Sequence, residues 1–347
     1  MQKNRLKELD VFRGVAALIV VLYHLTKETS LGKIGLQYGL TGVDLFFIIS
    51  GFVIFMTLNK TNSWKDFLIS RFSRLYPAYW VCVTITTIAI ILTIKFTNLY
   101  LWDKKITFLR YIGNMTMFQY YFKIHNIDGP YWTLVIELIF YFIMTFFFLI
   151  RQLKNIESIF FLVVVLIVLP YSFNIERVNH SQLHILLVMF PIINYFPLFT
   201  AGIVFYKLKF QKQTLFRYII ITSCLVTQFL LYNGYDNRMY IGQFQYGIML
   251  LSYFILFVLY VNDLLKFIIN KVLLFLGEVS YSLYLIHQFI GTTIVAILAK
   301  YFHVNDFVSV FLIALPIVLG LAVLINRFVE KPMMNYIRTV YRKKMTA

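Results

Sequence analysis

The sequence predicts an all-α fold, a polytopic membrane bundle of about ten transmembrane helices. Three observations carry that prediction. Of the 347 residues, 60% are hydrophobic and only 14% charged, with a mean hydropathy of +0.76. A soluble chain is usually about 45–50% apolar and about 25% charged. Apolar runs recur along the whole chain, and in lipid only helices and closed barrels satisfy every backbone polar group. The alternating segments of about ten residues that mark a membrane barrel are absent, which leaves helices. Length alone would allow two soluble domains. The continuous apolar character points instead to a single membrane-embedded domain over 1–347.

The formal net charge is +17. In a soluble protein that would raise nucleic acid as a partner. Here positive residues flanking membrane spans, with anionic lipid headgroups as their partner, account for it, and no nucleic acid is expected. Cys82 and Cys224 both fall inside apolar runs and read as small core residues, with neither a disulfide nor a metal expected. No small-residue cleavage site follows the first apolar run, so no cleavable signal peptide is expected.

The spans follow in order, each near the ~20 residues, range about 17–25, that a crossing needs. The first is 11–27, and within it Val11 to Leu25 is almost wholly apolar but for Arg13 and His24. The second, 40–58, opens on Gly42-Val43-Asp44 and carries Gly51. The third, 77–97, opens on Pro77, which suits a first helical turn, and Arg71 and Arg74 immediately precede it. A long outer connection, 98–132, holds Trp102, Tyr111, Phe118, Tyr120, Tyr121, Phe122, Tyr131 and Trp132. Its first reading is an interfacial aromatic belt; its second is a platform for a sugar ring. The fourth span, 133–151, carries Glu137, and 157–173 is the fifth. His180 and His184 then stand i, i+4 in an outer loop, with no third ligand pattern to make a metal site. The sixth span, 192–207, is short and has Pro191 and Pro197 at its start, which predicts a kink or a re-entrant segment. The seventh and eighth are 217–233 and 245–262. His287 lies within the ninth, 279–299, with Glu278 just before it. After the tenth, 307–328, Glu330 is expected to pair with Arg327 or Lys331. Asn-x-Ser/Thr sequons at Asn114 and Asn179 are short enough to arise by chance.

Orientation follows from Lys and Arg. With the N-terminus inside, inner segments hold 22 of the 32, and half of the remainder lies in one long outer loop, which counts for less. Both termini are therefore expected in the cytoplasm, with the chain as a multi-pass protein of the plasma (inner) membrane.

Ionisable groups inside a span are costly, about 2.5–3.5 kcal/mol at a helix centre on insertion scales. Counted by rise, His24 lies about 16 Å outward of Arg13 on the first helix. His24, Asp44 and Glu137 come out at similar depth, in the outer third, on three different helices; His287 falls nearer the midplane. A histidine with a carboxylate neighbour has a fixed tautomer and can take a proton from a hydroxyl. Taken singly, each is also explained as an interfacial polar group, with Arg13 and His24 snorkelling to opposite faces. Arg13, Arg71 and Arg74 share an inner level. Their planar forks suit phosphate groups, and ordinary inner-face anchoring explains them equally. The same buried His, Asp and Glu would serve a proton-coupled transporter or flippase for a glycan precursor; no inverted repeat supports that alternative.

Taken together these stretches resemble the acyltransferase 3 family of integral-membrane saccharide O-acyltransferases. Arg13 and His24 match its R-x10-H, Gly42 to Phe52 its GVDLFFIISGF, and Arg71 and Arg74 its basic inner loop. WTLVIELIFY, Trp132 to Tyr141, is similar to its W-S-L-x-x-E-x-x-F-Y, with Thr133 for the usual Ser. SYSLYLIH, Ser280 to His287, and Glu330-Lys331-Pro332 match its late motifs. The resemblance implies an acyl-CoA donor, acetyl-CoA in the first instance, on the cytoplasmic side. It implies a glycan or lipid-linked saccharide of the bacterial cell envelope as acceptor, and essential roles for His24 and Arg13. The expected site is then catalytic at His24, Arg13, Asp44, Glu137 and His287, with CoA phosphates on Arg13, Arg71 and Arg74. Asp44 or Glu137 would orient His24; Ser50, Tyr141 and Tyr281 are candidate carriers should a covalent intermediate form. The soluble esterase-like domain of some members is expected to be absent, the chain ending at Ala347 soon after the tenth span.

Overall fold

The computed structural model describes residues 6–99, 106–173, 189–232 and 240–346. Trp102, Asn179, His180 and His184 lie outside the described residues. Among the described residues eleven helices follow one another: α1 Lys7–Thr26, α2 Gly42–Leu58, α3 Trp64–Phe96, α4 Phe108–Met115, α5 Trp132–Leu149, α6 Ile156–Phe173, α7 Phe196–Phe210, α8 Leu215–Leu231, α9 Gln243–Val261, α10 Lys271–Phe302 and α11 Val308–Lys344. Among the described residues there is no strand. Eight segments are long and apolar enough to cross a membrane; α7 and α8, the sixth and seventh expected spans, have 15 and 17 residues. The two prolines of the sixth span do not kink it. Pro191 opens a separate 3₁₀ turn, Pro191–Tyr195, and Pro197 occupies the first turn of α7, where a missing N–H costs nothing.

Two helices are longer than their apolar cores. Pro77 lies in the interior of the 33-residue α3. Arg71 and Arg74 therefore sit on one face of a helix, three residues apart, rather than in a loop. Proline is tolerated within membrane helices when neighbours satisfy the freed backbone. α11 continues past its apolar stretch into the basic C-terminal segment, through π turns at Val308–Ala314 and Asn326–Glu330.

The chain divides into two compact units. The first comprises Met1–Ala16, Leu40–Trp64 and Ile136–Leu274. Its centre is the crossing of α2 and α7. A Cβ on Gly51 would stand 2.2 Å from the Phe199 carbonyl oxygen, and one on Gly202 2.1 Å from that of Ile48. Two glycines thus let the backbones touch, the usual device of membrane helix packing. Rings fill the surroundings: Phe140 stacks on Phe199 and Phe205 on Phe257, at centroid distances of 4.2 and 5.0 Å. Glu157 of α6 is held between Arg217 of α8, at 2.9 Å, and Lys207 of α7, at 3.4 Å.

The second unit comprises Ala17–Gly39, Lys65–Val135 and Phe275–Ala347. Here α3, α10 and α11 are tied by hydroxyl and carboxylate contacts. Tyr281 donates to the Leu75 carbonyl at 2.8 Å, and buried Glu330 accepts from Ser282 at 2.7 Å and Asn326 at 2.9 Å. The ion pair expected of Glu330 belongs instead to Glu278, which meets Lys331. The register of α11 turns Glu330 inward and its neighbour Lys331 outward.

The long connection between α3 and α5 runs back along α3. Tyr111 bonds Thr84, Trp80 donates to the Met115 carbonyl, Tyr79 to that of Asn114 and Tyr76 to that of Thr116. Its numbering rises as that of α3 falls, so the segment is antiparallel and covers about 12 Å of α3. Tyr120, Tyr121 and Phe122 remain exposed, as an aromatic belt requires, while Tyr131 is buried against Tyr79. Asn114 has its amide fully engaged by Arg110, His125 and Ile127.

Candidate active site

His24 occupies the last turn of α1, with its Nδ1 3.0 Å from the Val20 carbonyl oxygen and 3.1 Å from Nε2 of His287 on α10. Glycine explains how the helices come this close. A Cβ on Gly291, one turn after His287 on the same face, would stand 2.4 Å from Leu25, the neighbour of His24. His287 directs its own Nδ1 at the carbonyls of Tyr284, 2.8 Å, and Leu283, 3.2 Å.

These distances assign the tautomers. A carbonyl oxygen only accepts, so His287 carries its proton on Nδ1 and presents a lone pair at Nε2. His24 must then donate from Nδ1, shared between Val20 and His287. That leaves the lone pair of His24 on Nε2, the atom able to take a proton from a hydroxyl. His287 therefore occupies the place that a carboxylate holds in a catalytic triad, as an uncharged acceptor.

The partner expected from depth was a carboxylate, and His24 bonds none among the described residues. Depth along an axis leaves rotation about it open, and His24 faces α10. Asp44 and Glu137 belong to the other unit and have partners there. Asp44, 7% exposed, accepts from Tyr246, whose hydroxyl also meets Gln228 at 3.3 Å. Glu137 accepts from Tyr141 at 2.6 Å and from Ser50 at 3.3 Å, so two of the candidate carriers share one carboxylate oxygen. The third, Tyr281, is engaged by the Leu75 carbonyl. Arg13 is half-buried on α1, eleven residues before His24.

The start of α5 is docked beside His287. Tyr284, one turn before it, bonds Thr133 at 3.0 Å, and both hydroxyls reach the Pro130 carbonyl. Thr133 thus supplies the hydroxyl that a serine would. Asp128, 3% exposed and just ahead of this span, accepts from the backbone N–H of Gly129 at 2.8 Å and of Phe289 at 3.2 Å. Burial outweighs those two N–H bonds and pushes its pKa up to about 7.

Arg71 is 8% exposed and lies over the Phe67 ring, its guanidinium carbon 6.0 Å from the centroid. Arg74 is half-buried one turn on. The sequence reading passed over Arg338, from the far end of the chain. It donates from Nε to Ser73 Oγ at 3.1 Å and from Nη2 to the Ser70 carbonyl at 2.8 Å. It interacts electrostatically with Arg71, Arg74 and Arg342. Nothing local in its sequence distinguishes it from five other cations of the terminal segment.

The sequence model of the acyltransferase domain family matches residues 6–327. A protein of Acidianus two-tailed virus named as an acetyltransferase is 27% identical over 303 residues, covering 83% of this chain and 84% of that one. A Staphylococcus aureus protein named as an O-acetyltransferase is 28% identical over 362 residues. That match covers 93% of this chain but only 56% of the staphylococcal protein. The peptidoglycan O-acetyltransferase of Listeria monocytogenes is 35% identical over 86 residues, 23% of this chain and 13% of its own. No solved structure matches the chain.

Proposed function

The chain belongs to the acyltransferase 3 family, and on that premise we propose that it moves an acyl group, acetyl in the first instance, from cytoplasmic acyl-CoA to a hydroxyl of a cell-surface glycan or its lipid-linked precursor. The chain works in the plasma membrane with both termini inside, as its Lys and Arg distribution supports. Its whole length is one catalytic domain.

The observation that carries the reading is the tautomer chain ending at His24 Nε2. The acceptor O–H gives its proton to that nitrogen as its oxygen attacks the thioester carbonyl. A C–O bond forms and the C–S bond breaks. The departing sulfur takes the proton back from His24 and leaves as CoA–SH, so the products are an ester and a thiol. His287 is a positioning residue: it keeps its own proton on Nδ1 and accepts the hydrogen bond that steadies the transient His24 imidazolium. Arg13, Arg71 and Arg74 meet the CoA phosphates. Asp44 and Glu137 act through the hydroxyls they hold, Tyr246 and the Ser50–Tyr141 pair, on the acceptor side.

Purified protein with radiolabelled acetyl-CoA and a glycan acceptor tests this. Label should appear on the glycan, and His24→Ala should lower turnover by about 10²–10⁴-fold, the usual share of general acid–base catalysis. Wild-type turnover in His24→Ala would remove the base, and acceptor flux without label would indicate a carrier. His287→Gln offers an amide oxygen to the same Nδ1–H and should retain more activity than His287→Leu. Equal loss in both would deny the positioning role.

A further inference from the structure

We propose that Arg338 completes a phosphate-binding pocket with Arg71 and Arg74, and that the pocket takes the phosphates of CoA; this rests on the reading of the chain as an acyl-CoA-dependent transferase. Ser70, Arg71, Ser73 and Arg74 occupy little more than one turn of α3. Arg338 reaches that turn from α11, more than 260 residues later. Its position there is secured upstream, where Glu330 is held by Ser282 and Asn326, and Lys331 by Glu278. Arg338 also lies beyond the segment matched by the family model, which ends at residue 327.

The pattern of partners identifies the ligand class. Arg338 spends two of its nitrogens on a serine hydroxyl and a carbonyl, both uncharged, so its charge is held in place without being neutralised. Among the described residues neither Arg338 nor Arg74 forms an ion pair with a carboxylate. Arg338 stands among the like charges of Arg71, Arg74 and Arg342, and like charges repel one another. The arrangement becomes favourable when an anion enters. Planar guanidinium forks bind phosphate oxygens two at a time, and serine hydroxyls add further donors. CoA carries three phosphates, more than one arginine can meet. A phospholipid headgroup offers the same chemistry from a different source.

Both sources are tested with the full-length chain in nanodiscs, either of phosphatidylcholine alone or with phosphatidylglycerol added. Binding of radiolabelled CoA and the thermal unfolding midpoint are read for wild type, Arg338→Lys and Arg338→Gln. Glutamine keeps a donor for the serines and drops the charge, so folding should be preserved. In phosphatidylcholine discs we expect CoA to bind wild type, Arg338→Gln to bind about tenfold more weakly at an unchanged midpoint, and Arg338→Lys to fall between, a charged hydrogen bond being of that size. Equal CoA affinity in wild type and Arg338→Gln overturns the role of Arg338 and leaves the acyl-CoA reading standing. No CoA binding by wild type overturns that reading itself. If, in addition, phosphatidylglycerol raises the midpoint of wild type and not of Arg338→Gln, the pocket is a lipid site.

Discussion

Among the described residues two clusters of cations, one buried and one partly buried, are handled in opposite ways. Lys207 and Arg217 converge on one carboxylate, Glu157, and on the carbonyls of Lys154, Lys207 and Lys212. Every strong group there has a partner of the right kind. Arg338 bonds the Ser70–Ser73 turn of α3 and stands among the like charges of Arg71 and Arg74. In a medium of low dielectric, charges are costly unless paired. The first cluster solves that problem within the protein and is structural. The second is, on the reading proposed above, completed by an anionic ligand.

The contrast is broken most severely at Glu157. Replacing it with Ala leaves Lys207 and Arg217 facing each other in an interior that neither can leave. Removing one partner of a buried pair typically costs about 3–5 kcal/mol, enough to threaten the fold. Glu157→Ala should lower the unfolding midpoint by many degrees, while the molecules that still fold bind CoA as before. A wild-type midpoint would show that the cluster is solvated rather than structural.

Arg74→Ala is the converse, with a smaller effect. Removing a cation from a like-charged group relieves repulsion, so the midpoint should hold or rise. The Michaelis constant for acyl-CoA should increase about tenfold or more, since a hydrogen bond to a charged group contributes about 1.5–3 kcal/mol. Turnover at saturating donor should change little. A lowered midpoint with an unchanged Michaelis constant would place Arg74 in the structural class beside Arg217.

How much of this was legible in the sequence depends on whether the property is local. Apolar runs mark the helices by composition alone, and His24, His287, Arg71 and Arg74 each stand out as polar groups near or within such runs. Rotation about a helix axis was not available, so His24 was matched by depth to carboxylates when its neighbour is an imidazole. Gly291, whose missing Cβ admits Leu25, looks in the sequence like any small residue of a membrane helix. Pro77 was taken for a helix start because that is where proline costs least, whereas α3 runs through it. Arg338 was hidden because a contact between residues so distant in sequence is a property of the packed molecule.

Asp128 extends the comparison to an anion, and its effect is the smallest. Glu157 has two cations and Asp128 has none among the described residues; its bonds are to two backbone N–H groups, those of Gly129 and Phe289. With a pKa of about 7 instead of the ordinary 3.8, the folded state holds this proton more tightly than the unfolded chain does. Between those values the folded protein therefore binds more protons, and stability falls as pH rises. The contribution is fully present below about pH 4 and is lost as pH passes through about 7. The unfolding midpoint should decline from about pH 4 to about pH 7 and level off above that. Asp128→Asn, which keeps an oxygen for the N–H groups and cannot ionise, should flatten that decline and be the more stable protein at the alkaline end. Every other titratable group is common to both proteins and cancels from the difference. Parallel pH profiles would mean that Asp128 is ionised in the folded state and that backbone N–H groups suffice where Glu157 requires cations.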